Sequence, residues 1–116
     1  MKGELLPHAA RAIVPERKIT DYLLSETHPD GRGKARFFAG HGFSVREWHV
    51  LAAALRRHAV DHPVADEETT AFGVRFIVDG TLQAADGRAP SVRSVWFIDR
   101  GGDVPRLVTA FPSPRR

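Results

Sequence analysis

The chain contains no cysteine. Disulfides, thiolate zinc sites and cysteine nucleophiles are excluded with it. No apolar run approaches the roughly 20 residues of a membrane-spanning helix. The opening residues Met1-Lys2-Gly3-Glu4-Leu5-Leu6-Pro7 lack the apolar stretch of a signal peptide. A cytoplasmic location with no membrane partner is therefore the expectation. Nucleotide-cofactor motifs are missing too. Gly31-Arg32-Gly33-Lys34-Ala35-Arg36 starts like a dinucleotide fingerprint but lacks the last glycine and a preceding strand, and there is no P-loop. No serine or threonine sits in a nucleophile elbow. Asp66-Glu67-Glu68 reads as a solvated edge. His58 and His62 have the spacing of metal ligands, but Pro63 follows them and no third ligand is suggested, so both read as surface histidines. No metal and no cofactor is expected.

What is present is ordinary globular composition, with 42% hydrophobic and 27% charged residues in 116. That fits a single domain over 1–116 with a self-sufficient core. The net charge of +3 is uneven. Residues 1–62 carry ten basic and seven acidic side chains, and the remainder carries seven of each. Between Gly31 and Arg46 lie Arg32, Lys34, Arg36 and Arg46 with no acid among them, a local surface able to attract phosphate.

Hydropathy divides the chain into a helical half, 1–62, a sheet half, 63–112, and a tail, 113–116. An irregular arm over 1–14 has Leu5, Leu6, Ile13 and Val14 as its expected anchors. Pro15 starts a helix running to about Ser25, with Ile19, Tyr22 and Leu23 toward the core. A turn over 27–33 leads to a short helix from Lys34 to Ala39. Ser44 and Glu47 form a capping box for a third helix, with Phe43 and Trp48 spaced as a hydrophobic staple. That helix carries the stripe Trp48, Leu51, Ala52, Leu55 and Ala59 and stops near Val60 ahead of Pro63. The period then changes to two. Strands are expected over 65–71, 73–82, 91–99 and 105–111, with turns at 85–88 and 100–103. Short connections make consecutive strands antiparallel. The expected fold class is α+β, with three N-terminal helices packed on a three- to four-stranded antiparallel sheet.

Two groups of residues can carry chemistry. His28 lies in a Gly/Pro turn just before a short helix, where backbone N–H groups favour an anion. Its imidazole suits proton transfer near neutral pH, and Lys34 or Arg36 can neutralise a phosphate. The plain alternative for His28 is a turn residue bonded to nearby backbone. The second group is Arg75 and Arg93, in the middle of strands, with the Thr109 hydroxyl on the last strand. In a simple hairpin register both arginines share the open face, and an ordinary half-exposed sheet is the alternative.

The block Leu6-Pro7…Ala10…Ala12…Val14…Lys18…Tyr22-Leu23-Leu24…His28-Pro29…Gly31…Lys34-Ala35…Phe37-Phe38…Gly42-Phe43 resembles a family of small bacterial domains of unknown function. So does Val95-Trp96-Phe97-Ile98 with Pro105-Arg106-Leu107-Val108-Thr109-Ala110-Phe111-Pro112. A looser similarity runs to bacterial toxin ribonucleases of the barnase, colicin and RelE-like group, whose last strand often ends in a Val-Thr-Ala-Tyr-Pro type of stretch. That similarity implies RNA cleavage without metal. His28 would be the general base or acid, with Lys34 and Thr109 completing the catalytic set. Arg32, Arg36, Arg75 and Arg93 would hold phosphate. Phe111 stands where those enzymes carry tyrosine. The implied partners are RNA and a cognate antitoxin or immunity protein. A non-catalytic interaction domain, antitoxin-like, immunity-like or a housekeeping binding module, is the alternative function.

Overall fold

The computed structural model describes residues 3–25, 27 and 32–114, with Arg32 described by its backbone alone. Pro15, extended at ψ 139°, opens α1 (Glu16–Lys18), and the Lys18 N–H donates back to the Pro15 carbonyl. The helix then widens into a π-helical turn, Ile19–Leu23, closed by the Leu24 N–H on the Ile19 carbonyl at 2.8 Å. This turn buries Ile19 and Leu23 completely and leaves Tyr22 half-buried. Helix α2 (Arg32–Ala39) buries Ala35 and Phe38. It ends at Gly40 and at Gly42, whose φ of +91° is the left-handed conformation glycine adopts without strain.

Helix α3 (Trp48–Asp61) starts later than the capping signal predicts. Ser44 Oγ does accept the Glu47 N–H at 3.3 Å, so half of the capping box forms. Glu47 itself is non-helical at φ −112° and ψ 48°, so residues 45–47 make a separate turn and the helix begins at Trp48. At the other end, the extended geometry of His62 ahead of Pro63 stops the helix.

Four strands follow: β1 (Val64–Thr70), β2 (Gly73–Thr81), β3 (Ser91–Asp99) and β4 (Arg106–Pro112). They pair in chain order, all antiparallel. The fold is thus α+β, with the helices in the first half and a four-stranded antiparallel sheet in the second. Among the described residues no helix is long and apolar enough to cross a membrane.

The arm ahead of α1 spans from one sheet edge to the other. Gly3 and Val64 bond at β1, since the Gly3 N–H donates to Val64 O and the Val64 N–H to Glu4 O. Ile13 bridges Arg106 of β4 in parallel. Its buried anchors are Leu6, Ala9, Ala12 and Val14. Leu5 and Ile13, expected to be anchors, are 53% and 51% exposed instead. At the tail, Ser113 is tied to β3, its N–H donating to Ser91 O.

Helix α3 faces the sheet across one core. Leu51, Leu55 and Ala59 share it with Phe76, Val78, Val92, Trp96, Leu107 and Ala110. Inside that core sits His58, 1% exposed, which corrects the reading of it as a surface residue. Its Nε2 lies 2.9 Å from Val92 O and 3.1 Å from Gly80 O. Carbonyls only accept, so Nε2 carries the proton, as assigned from its partners. Nδ1 is then the acceptor for the Ser94 hydroxyl at 2.9 Å, and Ser94 Oγ accepts the Trp96 indole N–H at 2.8 Å. Every polar atom in this relay is paired, and it fastens α3 to β2 and β3. The His62 ring packs 5.0 Å from that of His58, above Gly80, where any Cβ would meet it.

Burial pushes the His58 pKa below the ordinary histidine value of 6.5. The unfolded chain therefore takes up a proton that the folded one refuses, and stability falls as pH drops below about 6.5. Urea unfolding at pH 7.5 and 5.0 should show this loss, and His58→Gln should reduce it. At the β1–β2 hairpin, Gly73 has φ +152°, and an added Cβ would lie 2.2 Å from Ile98 O. Gly73→Ala is expected to cost more than about 1 kcal/mol, read as a lower denaturation midpoint.

Candidate functional site

Strand alternation gives β2, β3 and β4 a second face, turned away from α3. Three rungs cross it. The first is Arg75–Phe97–Arg106, the second Ile77–Val95–Thr109 and the third Asp79–Arg93–Phe111. Val95, in the centre, is fully buried although it belongs to neither α3 nor the main core, so the side chains around it close over it. From β1, Glu68 continues the first rung and Asp66 the second.

Lys34 reaches this face from α2, at the β4 edge. Its Nζ donates to Thr109 Oγ1 at 3.0 Å and to the Tyr22 hydroxyl. The ammonium sits between two rings, 4.6 Å from the centroid of Tyr22 and 5.6 Å from that of Phe111. Among the described residues no carboxylate pairs with Lys34. A half-buried ammonium with an N–H to spare, held by hydroxyls and aromatic faces, is suited to an anion.

The sheet arginines are held differently. Arg93 donates through Nε and Nη2 to the two oxygens of Asp79, at 2.8 and 2.9 Å. This bidentate pair raises the Arg93 pKa further above its usual range. Arg106 pairs likewise with Asp99, at 3.2 Å for both bonds, and stacks over Phe97 at 5.3 Å. The bond from Arg106 holds the Asp99 carboxyl below the usual carboxylate range. Arg75 is half-buried, with no carboxylate partner among the described residues.

Of the residues singled out from sequence, Lys34, Thr109, Arg75 and Arg93 thus share one face. Arg75 and Arg93 stand two rungs apart, about 13 Å along the strands, with Thr109 level with the rung between them. Arg36 is exposed on α2 and has no described contact with this face. His28 lies outside the described residues, and so does the side chain of Arg32. Sequence reasoning assigned Tyr22 to the core and missed its hydroxyl beside Lys34, because a regular α-helical period does not register a π turn. Arg106 was also missed. The described residues contain no group of three or more His, Asp or Glu placed to hold a metal ion.

One solved structure with this fold is a chain of a contact-dependent growth inhibition toxin – immunity protein complex from Klebsiella pneumoniae 342. The similarity has a TM-score of 0.66 at 17% sequence identity and covers 87% of this chain and 99% of that one. No curated protein matches the sequence significantly. The family profile described as Domain of unknown function (DUF6883) matches residues 5–114, nearly the whole length. This agrees with the resemblance carried by the Tyr22-Leu23-Leu24, Lys34-Ala35 and Val95-Trp96-Phe97-Ile98 blocks, and the chain belongs to that family of domains of unknown function.

Proposed function

We propose that this chain is a toxin-type domain that cleaves RNA without a metal ion, at the face built on β2, β3 and β4. The observation that carries the reading is the Lys34–Thr109 bond on a face that also bears Arg75 and Arg93. The likeness in fold to a chain of a toxin–immunity complex supports it. In the proposed reaction the 2′-hydroxyl oxygen attacks the adjacent phosphorus while its proton passes to a base. The bond from phosphorus to the 5′-oxygen breaks, and the leaving oxygen takes a proton. His28 supplies the proton transfer. Lys34 meets the charge that develops on the phosphoryl oxygens, and Thr109 positions it. Arg75 and Arg93, with Arg32 and Arg36 from α2, receive neighbouring phosphates. A cognate immunity protein or antitoxin would be the protein partner, and the cytoplasm, where RNA is met, the place of action.

A second reading is a non-catalytic partner module, immunity-like or antitoxin-like. It draws on Asp79 and Asp99, which already engage two of the sheet arginines.

RNA incubated with the protein in EDTA is expected to be cut. His28→Ala should slow cutting by about 10²–10⁴-fold, and Lys34→Met by about 10²–10³-fold, with thermal unfolding of both variants near that of wild type. Expression should arrest growth with wild type and spare it with His28→Ala. Intact RNA after long incubation with folded protein, and no growth arrest, would replace the catalytic reading with the partner module.

A further inference from the structure

Two aromatic side chains on the site face have no part in the phosphate chemistry. Phe97 and Phe111 are both half-buried, in the rungs on either side of Thr109. Those rungs stand four residue steps apart along β3, about 13 Å. Each ring has a cation against it: Lys34 for Phe111 and Arg106 for Phe97. A partly exposed ring beside a cation is the pairing that takes up an unpaired base and its phosphate.

We propose that this face binds RNA as a single strand splayed open at the cut, with one base on Phe111, a second on Phe97 and the backbone phosphate between them at Thr109 and Lys34. The inference rests on the RNA reading above and adds the form of the substrate. Stacked bases along a strand lie about 3.4 Å apart. Consecutive bases on either side of one phosphate cannot stay stacked if they are held in rungs about 13 Å apart, so the strand must be opened between them. A duplex does not offer that shape. Charge fixes the side of approach. Asp66 and Glu68 border the face at β1, while Lys34 stands at the β4 edge. The strand therefore runs over β3 and β4. Asp79 and Asp99 face it too, but each is bonded to an arginine, Arg93 or Arg106, and so shielded. Stacking alone reads no sequence, so the preference is for unpaired RNA, whatever its bases.

The probe is a short 2′-O-methyl RNA strand carrying 2-aminopurine, uncleavable for want of a 2′-hydroxyl, used alone and annealed to its complement. With wild type, the single strand should bind at least about tenfold more tightly than the duplex, with 2-aminopurine fluorescence quenched and base protons shifted upfield by ring current. Phe97→Leu and Phe111→Leu should each weaken binding by about tenfold, while Phe97→Tyr and Phe111→Tyr keep it. Equal affinity for single strand and duplex, or binding without quenching and ring-current shift, overturns the proposal on wild type alone, whether or not the leucine variants fold. Leucine variants that fold and bind as wild type overturn it as well. In each of these cases the cleavage assay in EDTA still reads the RNA activity separately. Wild type that binds neither probe overturns the proposal, and failure to cut RNA as well would remove the reading beneath it.

Discussion

The candidate site depends on the register between β3 and β4, and one extra residue, Val108, sets it. Val95 lies opposite Thr109 and Trp96 opposite Leu107, so Val108 is a bulge. Without it, counting on from Leu107 would put Thr109 opposite Ser94 in the α3 core and Ala110 on the outer face. With it, Leu107 and Ala110 are both buried in the core, and Thr109 and Phe111 both join Lys34. A strict period of two cannot bury residues three apart on one face, so the bulge satisfies the core and builds the site at once.

The register of β2 with β3 is held from the other side of the sheet. His58 bonds to carbonyls of β2 and β3 and, through Ser94, to Trp96. His58, Val92, Ser94 and Trp96 are buried and Gly80 partly so, and a slip of either strand would leave polar atoms without partners in or beside an apolar core, which is costly. The relay therefore acts on the outer face without touching it. By fixing Ser94 and Trp96 it fixes Arg93, Val95 and Phe97, their neighbours pointing the other way. The bidentate pairs of Asp79 with Arg93 and Asp99 with Arg106 then lock side-chain geometry on that face.

Lys34 is positioned by two departures from regular structure, the bulge under Thr109 and the π turn over 19–23. Widening the helix there buries Ile19 and Leu23 while Tyr22 turns its hydroxyl to Lys34. Such turns recur at functional sites because they re-aim one side chain without breaking the helix. Helix α2, the sheet edge and the π turn thus meet at a single ammonium.

The sequence by itself determined the element order, the strand limits to within a residue or two and the two-faced pattern of β2 and β3. Local chemistry set all of these: Pro15 and Pro63 at helix ends, glycines at turns, and alternation of Val, Phe and Arg along strands. It also singled out Arg75, Arg93 and Thr109, as cations and a hydroxyl among apolar strand neighbours, and Lys34, with His28 and Arg36, at the start of a short helix. Only the tertiary structure decided which of them meet. The burial of His58, the bulge at Val108, the phenol of Tyr22 beside Lys34 and the capture of Arg93 by Asp79 each join residues distant in the chain or break a local period. Residue spacing reports on nearest neighbours along the backbone. Packing a core without unpaired polar atoms is settled among groups far apart in sequence, and the site face is the other side of that settlement.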